Sequence, residues 1–265
     1  MNDIPCVNQQ LSAEKLRLRL SSVSQGDRLA VLVMSGSFNP VHAQHIRALE
    51  VARAALERAG WAVAGGFLAP SSDGHLKGKL NSEISSLERR IELCGLATEA
   101  SDWLSVCPWG EFSSYKVCTR LREQLERECA GLLNGRSLTG IEVMGSDAAI
   151  RILDRVIDEW RALELDERQP WYQKRIICCL IRPGPESGVE IEHILKSTAP
   201  QAADIGVEII LIDSTREALP LEAVSSTAIR ELVGRGDWEL LTARRWLHPK
   251  VLSSLETWVR GCRRR

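Results

Sequence analysis

The chain has 265 residues, 44% of them hydrophobic, with acidic and basic residues mixed along its length; that can bury a substantial core and sits at the upper end for one domain. A net charge of -1 supplies no long-range field for nucleic acid or an anionic membrane, so neither is an expected partner and any anion must be held by a local cluster. No apolar run approaches a membrane span, and the Met1-Asn2-Asp3 start lacks a basic, apolar leader, which makes an intracellular protein, cytoplasmic or nuclear, the expectation.

Residues 1–28 read as a lead-in, with one helix over 11–20, ahead of a single domain over 29–265 that turns helical from about 225. Apolar, β-branched-rich runs at 31–34, 62–69, 102–107, 140–145, 176–181 and 207–212 have the length and boundaries of buried strands. Between them, apolar periodicity predicts helices over 81–100 and 115–133, and further helices over 237–241 and 249–259. Residues 71–79 read as a polar loop. Strands alternating with helices predict an α/β fold: a Rossmann-like, doubly wound parallel sheet with helices on both faces and a helical C-terminal part. The eight cysteines show no paired C-x-x-C spacing, so buried reduced thiols are expected and no protein-held metal.

In such a sheet ligands lie outside the carboxyl ends of the strands. There, GSFNPVHAQH at 36–45 follows the first strand and opens a helix. Small residues at a helix head make a phosphate cradle, and His42 and His45, three apart, share one face. A second motif, VSSTAIR at 224–230, puts Ser225, Ser226 and Thr227 at a helix start with Arg230 one turn on, hydroxyls and a forked cation suited to the same anion.

Each of these has a plainer reading. A histidine pair on a helix face is ordinarily solvated, Ser-Ser-Thr at a helix start is ordinarily a cap, and Asp147 could merely cap a helix. Lys77 and Lys79 would ordinarily be surface charges. Trp103 and Trp109 would more often be core residues, the more so in a chain with 8 tryptophans against 3 phenylalanines and 2 tyrosines. Arg263-Arg264-Arg265 reads as a solvated end.

GSFNPVHAQH resembles the signature of the nucleotidyltransferase superfamily, in the form found in the nicotinamide or nicotinic acid mononucleotide adenylyltransferases. Four more segments are similar to that family in the same order along the chain: GGFLAPSSDGHLKGKL at 65–80, SDWLSVCPWG at 101–110, MGSDAAI at 144–150 and VSSTAIR. The resemblance implies that ATP is bound by Gly36, Ser37, Phe38, His42, His45, Lys77, Gly145, Asp147, Ser225, Ser226, Thr227 and Arg230. It implies catalytic roles for His42, His45 and Arg230, and mononucleotide binding by Ser37, Trp103, Trp109 and Ser114. Mg²⁺ would enter bound to the substrate phosphates. The family often assembles, which leaves a homo-oligomer open. The chain departs from the family pattern at Ser114, where a threonine is usual, at Gly78, where a second lysine is usual, and over 155–175.

The implied reaction is adenylyl transfer from ATP to a pyridine mononucleotide, giving NAD or its deamido form and pyrophosphate. Two alternatives stand beside it: a nucleotidyltransferase of the same superfamily with another phosphorylated acceptor, and a nucleotide-binding regulator or chaperone-like relative without turnover. A class I aminoacyl-tRNA synthetase shares the histidine spacing, but the chain carries no basic surface for tRNA.

Overall fold

In the computed structural model the described residues are 11–23, 28–77, 85–111, 113–164, 172, 174–181, 188–216, 221–222 and 224–262. Six parallel strands lie in the order β3-β2-β1-β4-β5-β6. They are β1 Arg28–Gly36, β2 Trp61–Pro70, β3 Leu104–Val106, β4 Thr139–Gly145, β5 Arg175–Ile181 and β6 Val207–Asp213. Each corresponds to a run expected from the sequence. Alternation sorts β1 between the two faces: Ala30, Leu32 and Met34 enter one core cluster, Leu29, Val31 and Val33 the other.

The helices cover both faces. α2 (Ala43–Arg58), α4 (Leu87–Thr98), α9 (Ser226–Arg235), α10 (Trp238–Arg244) and α11 (Pro249–Cys262) contribute to the first cluster. On the other side lie α1 (Glu14–Leu20), α5 (Ser114–Glu128), α6 (Ala130–Leu133), α7 (Ser146–Arg161) and α8 (Gly188–Asp204). The lead-in helix is shorter than the expected 11–20, and its Leu16 and Leu20 are buried among Val31 and Val33.

The expected loop over 71–79 is corrected in part. Asp73–Lys77 forms a short helix, α3, with the Ser72 hydroxyl accepting from the His75 N–H (3.4 Å). The expected helix over 81–100 is described from Ser85 onward and starts at Leu87, where Ser86 caps it by accepting from the Arg89 N–H. Among the described residues no helix is long and apolar enough to cross a membrane.

Six cysteines, 94, 107, 118, 129, 178 and 179, are buried and unpaired by disulfides. Burial pushes the thiols of Cys94, Cys118 and Cys178 up, and that of Cys107 up to about 12, so these groups fill space and do not supply thiolates.

The strand order reverses between β1 and β4, which puts the crevice for a ligand above Gly36 and Gly145, the last residues of those strands. At the opposite end, Trp103 precedes β3 and fills the notch left by Gly66: a Cβ there would stand 2.4 Å from the indole and 2.7 Å from Leu104. Gly66→Ala is therefore expected to lower the unfolding free energy by about 1–3 kcal/mol through overpacking, read as a lower urea midpoint at unchanged slope.

Candidate active site

The loop after β1 is built on Phe38. Its backbone is left-handed (φ 45°), costly for a residue with a side chain, and the buried ring holds it there. The ring lies 3.4 Å from where a Gly36 Cβ would stand and meets the His45 imidazole edge-on at 4.9 Å. His42 and His45 stack at 3.7 Å; His42 is only 6% exposed. The His42 N–H donates to His45 Nδ1 (3.1 Å). A ring that accepts at Nδ1 carries its proton on Nε2 when neutral, leaving that N–H to donate outward.

The phosphate cradle expected at the head of α2 is narrower than the sequence suggests. The His42 N–H is used by His45, and the Ala43 N–H donates to the Trp246 carbonyl (2.8 Å). Two of the helix-head donors are thus satisfied within the chain.

The distant VSSTAIR segment is joined to this loop. Ser226 Oγ donates to the Pro40 carbonyl (3.0 Å) and Arg230 Nη1 to the Asn39 carbonyl (2.9 Å), while Arg230 Nη2 reaches Thr227 Oγ1 (3.1 Å). Upstream, the Glu222 N–H donates to Gln44 Oε1 (2.9 Å). Ser225 does the plainer work of a helix cap, accepting from the Ala228 N–H (3.2 Å). Beside His42 opens a cavity of about 1020 Å³, walled by Gln44, Arg47 and Glu50 of α2, by Glu222, and by the turn at Trp246.

Gly145 caps α7, and Asp147 is exposed in its first turn, 3.7 Å from Arg151. The side chain of Lys77, the last residue of α3, lies outside the described residues, as does Lys79. Ser114 starts α5, and its hydroxyl donates to the buried Glu142, which also holds Arg175 in a two-pronged pair (2.7 and 2.9 Å). Trp109 is half-buried under the guanidinium of Arg120 (4.2 Å).

Trp103 takes the plainer place of a core residue. It is 2% exposed, its indole N–H donates to Glu50 (2.9 Å), and the Arg53 guanidinium lies 4.9 Å from its ring centre.

Three residues that the sequence reading passed over hold the site together. Asn39 was inside the quoted motif, and its carbonyl and side chain both bond across the site. Trp246 acts through its carbonyl, which no side-chain pattern reveals. Arg90 is fully buried and bonded to the loops after β1 and β2; a charged residue on a helix ordinarily reads as solvated.

The donors converging here are imidazoles, hydroxyls and a guanidinium, a set that binds anionic oxygen. A family model described as cytidylyltransferase-like matches residues 33–232. The chain is 34% identical over 142 residues to a nicotinamide/nicotinic acid mononucleotide adenylyltransferase of Oryza sativa subsp. japonica, covering 52% of this chain and 55% of that relative. It is 37% identical over 93 residues to the Arabidopsis thaliana protein of the same description, covering 35% of this chain and 37% of the relative. The chain therefore matches roughly half or less of the length of these curated relatives. The solved structure of Plasmodium falciparum nicotinic acid mononucleotide adenylyltransferase complexed with NaAD superposes with a TM-score of 0.49 at 13% identity, over 86% of this chain and 95% of that one.

The hydrogen bond at His45 has a direct readout. In ¹⁵N-labelled protein, the neutral His45 ring is expected to show a protonated Nε2 and an acceptor-type Nδ1; a ring protonated at Nδ1 would remove that bond and the outward donor with it.

Proposed function

Because the chain belongs to the cytidylyltransferase-like family, whose model spans residues 33–232, we propose that it transfers an adenylyl group from ATP to a pyridine mononucleotide, forming NAD or its deamido form and pyrophosphate. The observation that carries this is the closure of Ser226 and Arg230 onto the loop that presents His42 and His45. Donors from both ends of the chain are thereby drawn to one loop, as gripping a triphosphate requires. The names of the plant relatives support the pyridine acceptor. The transfer unit would be 29–265, with the preceding segment buttressing the sheet through Leu16 and Leu20.

An oxygen of the mononucleotide phosphate attacks the α-phosphorus, and the bond to the bridging oxygen of the β-phosphate breaks. The nucleophile is already an anion, so the site needs no base; it must align two polyanions and stabilise the charge growing on the α-phosphate and on the departing pyrophosphate. His45 donates from Nε2 to that charge, with His42 stacked behind it. Ser226, Thr227 and Arg230 hold the outer phosphates, a role the family resemblance extends to Lys77. Gly36, Ser37 and Phe38 shape the loop beneath, while Gly145 and Asp147 meet the nucleoside side. Ser225 contributes by capping α9. The donors fit anion oxygens, which leaves a divalent cation to ride on the nucleotide; Mg²⁺ held there would neutralise phosphate charge.

The same transfer to another phosphorylated acceptor is the second reading, favoured by one observation. Trp103 is in the core and the Ser114 hydroxyl is committed to Glu142, which removes two groups that argued for a flat aromatic acceptor. Ser37 and Trp109 are then the candidates for mononucleotide contact.

Incubation with ATP, Mg²⁺ and nicotinamide mononucleotide or its acid form should release pyrophosphate and dinucleotide in equal amounts. Pyrophosphate formed only with a different phosphorylated acceptor would select the second reading, and none with any acceptor would remove both. His45→Ala should depress turnover by about a hundredfold while leaving the thermal midpoint in place, as for loss of one donor to transition-state charge.

A further inference from the structure

Arg90 has no solvent exposure, and adenylyl transfer itself calls for no charge at that point. All three nitrogens of its guanidinium are nevertheless engaged. Nη1 donates to the Ser37 carbonyl (2.9 Å), Nε to the Ser85 carbonyl (3.1 Å), and Nη2 to the Ser71 carbonyl (2.6 Å) and to Asp73 Oδ1 (2.7 Å). These partners belong to three separate pieces of chain: the loop after β1, the segment from the end of β2 into α3, and the lead into α4. Two further bonds extend the connection. The Ser71 N–H donates to the Gly36 carbonyl (2.9 Å), and the Ser85 N–H donates to Asn39 Oδ1 (3.2 Å), whose own carbonyl accepts from Arg230.

We infer that Arg90 is a positioning residue, holding the histidine loop, the α3 segment and, through Ser85 and Asn39, the Arg230 guanidinium in one rigid frame. Only a planar fork fits this task. Three carbonyls and a carboxylate approach one group from different directions, and an ammonium is a point charge on a flexible stem that cannot serve them together. Asn39, only 3% exposed, is the second member of the frame, its side chain facing Ser85 and its carbonyl facing Arg230. The kinetic consequence rests on the adenylyl-transfer reading; the frame itself does not.

The test compares Arg90→Lys and Arg90→Ala with wild type, by steady-state kinetics and by backbone hydrogen exchange over 36–38 and 71–76 without substrate. In folded Arg90→Lys, kcat is expected to fall about a hundredfold, as for a misplacement of about 1 Å, with KM for ATP moving less than about threefold and a wild-type far-UV circular dichroism spectrum excluding loss of folded enzyme as the cause. Exchange in both segments should accelerate by about tenfold or more. Guanidinium chloride at about 50 mM, and not ammonium chloride, should restore part of the Arg90→Ala turnover by refilling the fork's place. A folded lysine variant with kcat within about twofold of wild type, unchanged exchange in both segments, or a folded alanine variant that guanidinium does not restore would each overturn the inference. Should both Arg90 variants fail to fold, Asp73→Ala, which removes the half-exposed partner alone, decides by the same exchange measurement: faster exchange at 71–76 supports the frame and wild-type exchange overturns it. Wild-type protein inactive with every acceptor would sink the transferase reading, while exchange, needing no substrate, would still judge Arg90.

Discussion

Three hydrogen bonds between residues 178, 186 and 191 apart in the chain, Glu222 to Gln44, Ser226 to Pro40 and Arg230 to Asn39, are what the rest of the site depends on. They are possible because β1 is central in the sheet and the C-terminal helices pack on the same face as α2. The head of α9 and the head of α2 then arrive at the same crevice, above the point where strand order reverses. Without that closure the histidine loop would be half of a phosphate site, because net charge gives the molecule no field to draw an anion from a distance. Local convergence supplies what overall charge does not.

The loop is held rather than merely present. A left-handed Phe38 would relax if its ring were loose; instead the ring is sealed under Gly36 and against His45. Backbone strain of this kind persists only where the surroundings over-determine it. Here they do so through side chains that are themselves buried: Phe38 from the core side, Arg90 projecting from α4, and Asn39 within the loop, tied to Ser85 ahead of α4. The imidazoles therefore project from a rigid base, and a charge-stabilising donor is worth most when it need not reorganise at the moment of reaction.

The sheet was legible because each strand is a short apolar run buried on two faces, a pattern that survives any detail of packing. The motifs at 36–45 and 224–230 could be placed at helix starts because small residues and hydroxyls ahead of an apolar period mark such starts. Trp103 shows what such patterns leave out. Sequence order puts it beside a strand without revealing that it stands at the amino end, facing the notch at Gly66. Ser114 has the expected hydroxyl, but it donates to the buried Glu142 of β4, which Arg175 of β5 also holds. Arg90 was hidden because burial of a forked cation depends on carbonyls contributed by three loops, none adjacent to it in the chain except Ser85.

The polar groups at these helix heads are also satisfied by one another. The Ser226 hydroxyl, one arm of Arg230 and the first N–H of α2 already donate to carbonyls at Pro40, Asn39 and Trp246. A neutral carbonyl is a weaker partner for a guanidinium than a phosphate oxygen, which adds attraction between full charges and a two-pronged fit. Arg230 can therefore exchange partners at little cost, with its second arm on Thr227 keeping it aimed at the crevice. The Ala43 N–H, taken up by Trp246, has no such incentive to change, because both of its partners are uncharged backbone groups. The backbone at the helix head thus serves to lock the turn at Trp246 against α2.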